Sequence, residues 1–409
     1  MGRSELVLAL DLGTAKVAAL VGRVGDGPPE ILGSGISPSR GISQGMISDL
    51  EAAARAVSDA SRAAQKAAGV RCRRAWVGIS GPAIWGVNTD GAIAVSGPTK
   101  EIDSAHLHRV LSAASSVPVP AGREVLEVLP RSFTVDELEG VRRPLGLSAS
   151  KLEAHVHLVT APTNMLENVE KAVEGGGLTV EEVVFVPLAA AEAILSEQQK
   201  NAGAIAIDLG AGSTGYALFR DGAPCAAGCV QAGGLQLTSD ISFGLMLPLE
   251  EAETIKVAVG ASEPDMVAGE PPVGARSADG RLRQIARRSL AEIIHVRLRE
   301  VFVSLRLEIR KACGMAVLPG GAVLTGGGSL LRGADALAAR LLSCPVSLAQ
   351  IKSAGSSAPI KDPRFHGAVG VLAWAARKEQ ERKAAAPPPG LLEPLLSGWQ
   401  KLQRALGFR

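Results

Sequence analysis

The sequence predicts an α/β protein of two related halves, with a small α+β unit inserted in the first half and an amphipathic segment at its end. Three observations carry this. First, Leu6-Val7-Leu8-Ala9-Leu10-Asp11-Leu12-Gly13-Thr14 leads into Lys16-Val17-Ala18-Ala19-Leu20-Val21, and Ala204-Ile205-Ala206-Ile207-Asp208-Leu209-Gly210-Ala211-Gly212-Ser213-Thr214 leads into Tyr216-Ala217-Leu218-Phe219. Each reads as a buried strand, an acidic glycine turn and a second strand, and two distant copies imply two halves rather than a short-period solenoid. Second, from about residue 83 to 161 the texture changes to short alternating strands around one helix. Third, Leu324-Thr325-Gly326-Gly327-Gly328-Ser329 is a strand entering a glycine loop ahead of a further helix.

Composition narrows the class. With 409 residues, 46% of them hydrophobic, the chain can bury a core without staples and is not disordered in bulk. Its 43 Lys+Arg balance 41 Asp+Glu, which removes any electrostatic case for whole-protein nucleic-acid binding. Five scattered cysteines fit reduced thiols in a cytoplasmic setting better than a disulfide framework. No stretch approaches the ~20 apolar residues of a membrane-spanning helix, and the run at 6–10 stops at Asp11.

In chain order, 49–68 reads as an alanine-rich amphipathic helix ended by Gly69, and 75–80 as a strand. The inserted unit follows with strands at 91–95, 124–129 and 153–159 and a helix at 104–115. Helices are expected at 164–174, 188–199 and 249–259, then a long one over 282–312 and another over 330–342. Residues 380–389, charged and then Ala/Pro-rich, read as an exposed linker to a last segment, 391–409.

A glycine turn after Asp between two strands lets backbone N–H groups approach a polyphosphate, while the carboxylate can hold magnesium through water. Two such turns facing each other would clamp phosphates from both sides. The loop at 326–328 could let a nucleoside lie against backbone.

The chain resembles the FtsA family of bacterial cell-division proteins, within the actin-like ATPase superfamily, over nearly its whole length. Besides the three loops, the resemblance rests on Gly41-Ile42-Ser43-Gln44-Gly45-Met46-Ile47, Val77-Gly78-Ile79-Ser80-Gly81 and Leu152-Glu153-Ala154-His155-Val156-His157-Leu158-Val159-Thr160. It also rests on Gly234-Leu235-Gln236-Leu237-Thr238-Ser239-Asp240-Ile241 and Glu251-Ala252-Glu253-Thr254-Ile255-Lys256. It implies a two-lobed actin-like fold of duplicated ribonuclease-H-like halves, with ATP and Mg in the cleft. The first core subdomain would be 1–82, completed by about 162–197 and 366–379; the unit at 83–161 would replace the usual actin subdomain. The second core subdomain would be 198–230, completed by about 305–365; 231–304 would be the adenosine-side subdomain, 380–390 the linker and 391–409 the membrane helix.

By the same resemblance, Asp11, Gly13, Thr14, Lys16, Asp208, Gly210, Gly212, Ser213 and Gly234 match phosphate-side positions, with Asp11 and Asp208 holding Mg through water. Glu253 and Lys256 match the adenosine-side pair, although i, i+3 spacing alone also describes a solvated ion pair. Thr325, Gly326, Gly327 and Gly328 match the adenosine loop. Two departures stand out: Gly215 and Leu235 occupy positions where the family commonly has acidic residues. They imply ATP binding with at most slow hydrolysis. Glu192 either orients the attacking water as a general base or is a surface residue on its helix.

At ~100° per residue from Leu391, a helical wheel places Leu402, Leu395, Leu406, Trp399, Leu392 and Leu396 within roughly 20–140°. Gln400, Glu393, Arg404, Ser397 and Lys401 fall at roughly 180–280°, and Phe408 alone breaks the separation. Such a helix either docks on the core or lies in the plane of an anionic membrane surface. The long spacer, the flanking Lys401 and Arg404, and the family's own terminal helix favour the membrane. The resemblance thus implies a peripheral protein on the cytoplasmic face of the cell membrane. It would assemble with itself, bind the C-terminal tail of the tubulin-like FtsZ, and meet later divisome proteins through the inserted unit.

For the FtsZ tail the resemblance points to the basic series Arg281, Arg283, Arg287, Arg288, Arg297 and Arg299, of which Arg287, Arg288 and Arg297 are the candidates; a solvated basic face is the other reading. His155 and His157 lack a third metal ligand nearby, and Cys225 with Cys229 lacks partners for zinc. Two rivals share the fold: a small-molecule kinase, and a PilM-like pilus assembly protein that needs no amphipathic tail.

Overall fold

The computed structural model describes residues 5–25, 27–97, 99–116, 119–313, 318–351 and 361–385. Its two central sheets repeat one plan. In the first, Glu5–Leu12, Lys16–Val24 and Glu30–Pro38 form an antiparallel meander, and Arg74–Ile79 and Thr179–Phe185 add in parallel beside Glu5–Leu12. In the second, Ala204–Leu209, Thr214–Arg220 and Ala223–Val230 form the meander, and Gly321–Thr325 and Val346–Leu348 add in parallel beside Ala204–Leu209. The expected duplication is therefore present in strand order and direction. Both leading strands are buried along most of their length, which is why they read as continuous apolar runs rather than alternating ones.

The inserted unit is a four-stranded antiparallel sheet in the order Trp85–Ala94, Lys151–Pro162, Arg123–Val135, Leu138–Val141, with its own core and the helix Ser104–Ser115 on one face. Gly91 permits that close packing, because a Cβ there would lie 2.6 Å from Ala114 Cα. The sheet also reaches the second lobe: Asn88 Nδ2 donates to the Cys225 carbonyl at 3.3 Å. A further unit of the second lobe combines the helices Gly234–Leu245, Leu249–Val259 and Arg287–Cys313 with a hairpin, Val273–Arg276 and Leu282–Ile285.

Two helices lie in the core of the first lobe. Val186–Ile194 and the tail helix His366–Ala385 cross at Gly370, where a Cβ would meet Ala189 C at 2.6 Å. The first helix, Leu50–Ala68, is bounded as its sequence requires: Asp49 accepts from Ala52 N at 2.9 Å, and Gly69 takes φ 67° at the other end.

Four expected elements need correction. The helix expected over 188–199 breaks at Leu195, and Ser196 opens a new helix, Glu197–Ala202, through a capping box with Gln199. The long helix begins at Arg287, not 282, because Leu282–Ile285 pairs as a strand. The helix expected from 330 begins at Ala334, after a 3-10 turn at Gly327–Leu330 and Gly333 at φ 78°. The segment expected as a linker from 380 is helical to Ala385. Strands of the inserted unit are longer than expected, Arg123–Val135 running 13 residues. Residues 391–409, including the whole expected amphipathic helix, lie outside the described residues. Among the described residues no helix is long and apolar enough to cross a membrane.

Candidate functional site

The two acidic turns share one local geometry. Gly13 N donates to Lys16 O at 3.0 Å, and a Cβ on Gly13 would come 2.9 Å from that oxygen. In the second turn a Cβ on Gly210 would come 2.7 Å from Ser213 O. The turns then meet: a Cβ on Gly212 would collide with Thr14 Oγ1 and lie 3.0 Å from Thr14 Cβ. Glycine is required here by close approach of one lobe to the other.

Each carboxylate is roofed by a glycine. A Cβ on Gly367 would strike the Asp11 carboxylate, and one on Gly326 would strike Asp208 Oδ1. Burial raises the Asp11 carboxyl above its ordinary range, with Lys16 opposing. Burial, then the Asp11 charge, pushes Asp208 up to about 6, again with Lys16 opposing. One lysine thus serves two half-buried acids. Ser213 is buried, its hydroxyl against the Cys229 thiol behind the turn.

Gly233 and Gly234 cross over the second turn. Gly234 N donates to Gly210 O at 2.9 Å and Leu235 N to Ala211 O at 2.8 Å, so the helix Gly234–Leu245 begins beside the turn with its positive end there. Lys256 is buried and donates to Glu253 Oε2 at 2.6 Å, Thr238 Oγ1 at 2.9 Å and Gly234 O at 3.0 Å. Lys256 thus braces this wall from inside, while its partner Glu253 keeps 46% of its side chain exposed. Opposite, Gly326 takes φ 80°, a Cβ on Gly328 would lie 2.9 Å from Leu209 Cβ, and Gly327 has open space where a Cβ would stand. Thr325 is buried and shares a 2.7 Å hydrogen bond with His366 Nδ1.

The structure therefore brings Asp11, Gly13, Thr14, Lys16, Asp208, Gly210, Gly212, Ser213, Gly234, Glu253, Lys256 and 325–328 together where the two lobes meet. Sequence reading missed Gly233, Thr238, His366 and Gly367. The Gly-Gly doublet was a visible signal for the first; the others are placed only by folding.

Glu192 is a correction. Its carboxylate is bound by Lys200 Nζ at 2.7 Å and by Arg377 Nη1, and Lys200 lies 5.6 Å from the Phe219 ring. Phe219 pairs with Ala204, four residues up the strand from Asp208, which is about 13 Å at the usual rise. Glu192 thus belongs to an ion cluster at the far end of the sheet and does not orient water at the phosphate turns. The expected basic face is also neutralised locally: Arg287 pairs with Glu270 at 2.6 Å, Arg288 with Glu292 at 3.1 Å, and Arg297 with Asp240 and Glu300 at 2.7 Å. His155 is held between Asp90 and Thr134, and His157 by Asn88.

Comparisons with known proteins now bear on this geometry. Residues 81–160 match the family model "SHS2 domain inserted in FTSA", and 205–370 match "Cell division protein FtsA". A cell division protein FtsA of Pseudomonas aeruginosa is 36% identical over 384 residues, 92% of this chain and 91% of that one. The chain belongs to the FtsA family. The FtsA of Bacillus subtilis is 33% identical, covering 92% of this chain and 85% of that protein, and the FtsA of Escherichia coli is 33% identical over 90% of each. Among solved structures, a PilM-PilN type IV pilus biogenesis complex matches with TM-score 0.63 at 20% identity, over 90% of this chain and 98% of that one. MreB5 of Spiroplasma citri bound to ADP matches with TM-score 0.53 at 14% identity, over 93% and 98%. These place the FtsA-family chain in the actin-like fold and in a family of bacterial cell-division proteins.

Proposed function

We propose that this FtsA-family chain binds ATP with Mg in the cleft, polymerises, and tethers the FtsZ ring to the inner face of the cytoplasmic membrane. The observation that carries the nucleotide reading is the contact of two duplicated acidic glycine turns, Thr14 against Gly212, beneath a loop whose Gly327 faces open space. Phosphates would lie on the backbone of both turns, and the nucleoside between the Lys256 wall and the 325–328 loop. Solved relatives of this fold bound to ADP and to AMPPNP agree with that use.

The residues suit magnesium. Asp11 and Asp208 are both raised by burial, and among the described residues Lys16 is the cation that opposes both shifts, so a divalent cation would relieve them. Among the described residues no cluster of three or more His, Cys, Asp or Glu could hold a metal alone. The ion would therefore keep waters and phosphate oxygens, as magnesium ordinarily does, and offset phosphate charge. With Gly215 and Leu235 supplying no carboxylate and Glu192 engaged elsewhere, hydrolysis would be slow at most, serving turnover of an assembly that ATP favours.

Membrane attachment rests on the wheel of 391–409, with Leu391, Leu392, Leu395, Leu396, Trp399, Leu402 and Leu406 toward acyl chains and Lys401 and Arg404 toward anionic headgroups. The FtsZ tail would dock on the second lobe's helical unit, where Arg281, Arg283, Arg288 and Arg299 are exposed, and later divisome proteins on the inserted sheet. Two experiments test the reading. Gly327→Arg, at a position with room for a side chain, abolishes binding of fluorescent ATP while leaving the unfolding midpoint unchanged; unaltered affinity would mean the cleft is misplaced. Full chain pellets with anionic liposomes and a chain ending at Ala386 does not; equal pelleting would remove the anchor.

A further inference from the structure

The tail helix His366–Ala385 starts inside the cleft and ends at the opposite side of the first lobe. Its first two residues touch both lobes. His366 is 1% exposed and its Nδ1 lies 2.7 Å from Thr325 Oγ1, on the strand end that opens the glycine loop of the second lobe. The next residue, Gly367, packs so closely on the first lobe's Asp11 that a Cβ would lie 2.8 Å from Asp11 Cγ.

From there the helix is an unbroken rod of 20 residues, about 30 Å at 1.5 Å per residue. Gly370 keeps it in backbone contact with Val186–Ile194. At its far end Arg377 meets Glu192, Lys378 lies 3.6 Å from Glu127 of the inserted sheet, and Arg382 lies 3.6 Å from Glu182 and 3.8 Å from Glu181. Those last pairs are longer than direct hydrogen bonds, so they can readjust at small cost, whereas the 2.7 Å bond at His366 is buried and short.

We infer that His366 is a positioning residue that ties the adenosine loop to the tail helix, so that nucleotide occupancy and the setting of this helix against the inserted unit are one equilibrium. The inference rests on the nucleotide reading above. A ligand lying on 326–328 selects one position of Thr325. Thr325 carries His366 with it, and a rigid helix delivers the shift to the contacts at Arg377, Lys378 and Arg382.

Hydrogen exchange on the full chain, with and without ATP and magnesium, tests this at two segments: the second turn, 208–216, and the far half of the helix, 374–385. In the unaltered chain ATP slows exchange in both. His366→Ala retains the response at 208–216 but reduces the ATP-dependent change at 374–385 by at least about fivefold, the lower end of ordinary coupling factors. His366→Asn restores it, because the Asn amide stands where Nδ1 does. Thr325→Val removes the same bond without a cavity and reproduces the loss, which keeps the test sound should His366→Ala fold poorly. A helix response in Thr325→Val equal to that of the unaltered chain would overturn the inference. So would a response at the turn alone in the unaltered chain. A response at neither segment would overturn the nucleotide reading and this inference together.

Discussion

Two groups of poorly solvated carboxylates lie at opposite ends of the tail helix, and they are compensated differently. At the cleft end, Asp11 and Asp208 share Lys16. At the far end, Glu127, Glu182 and Glu192 face Lys200, Arg377, Lys378 and Arg382. Burial raises the Glu127 carboxyl and pushes Glu182 up to about 7, while Glu127 in turn raises Lys378. Desolvation therefore acts at both ends, and the four cations of the far end offset it only in part, since Glu182 still stands at about 7; the cleft end sets one lysine against two acids. The cleft end leaves a deficit that a ligand's cation can fill. The difference between the two ends lies in how many cations share the acids, one lysine at the cleft against four cations at the far end.

Substitutions can break this contrast. The largest effect is expected from Glu192→Ala, which takes from buried Lys200 one of its two acids, leaving Glu197 at 2.9 Å, and should cost about 3 kcal/mol in chemical unfolding, with ATP affinity unchanged. A loss of ATP turnover at full stability would instead return Glu192 to the reaction. Asp208→Asn should act with the opposite sign: the ligand-free chain gains about 1–3 kcal/mol at pH 7, because a repelled carboxylate is removed, while Mg-dependent ATP affinity falls. A destabilised Asn variant would show that Asp208 is structurally paired after all.

The pH dependence has a defined direction. Asp208 is raised from 3.8 to about 6 on folding, so the folded state holds its proton more tightly than the unfolded chain does. Its contribution to stability is present below about pH 4 and is lost as pH rises toward 6. The ligand-free chain should show that slope and Asp208→Asn should not. On the proposed site magnesium would displace the same proton, so Mg·ATP affinity should tighten as pH rises through about 6. The smallest effect is a control remote from both groups: Asp49→Ala removes the N-cap of Leu50–Ala68 and should cost about 1 kcal/mol with no change in ligand affinity.

Local signals explain what was legible. The doubled strand–turn–strand pattern gave both lobes, because buried hairpins write long apolar runs around an acid and a glycine. The first helix was bounded within a residue by Asp49 and Gly69. The errors also have physical causes. Leu282-Arg283-Gln284-Ile285 has helical spacing of its apolar residues, and only pairing with 273–276 makes it a strand. Ser196 and Gln199 form a capping box inside what looked like one helix, and Glu192 is drawn to Lys200 and Arg377, contacts that only folding makes. The charged start of 380–389 was read as linker, although its residues favour helix and Arg382 reaches the carboxylates of Glu181 and Glu182. Gly367 lies 356 positions from the carboxylate it covers, and no spacing rule reaches that far.

Calorimetric titration of Mg·ATP into the full chain at pH 6, in two buffers of different ionisation enthalpy, tests most directly whether the under-compensated acids receive the ligand. The expected result is tight binding with net release of a substantial fraction of a proton, absent in Asp208→Asn. Binding with no proton release, or no binding at all, would contradict the account.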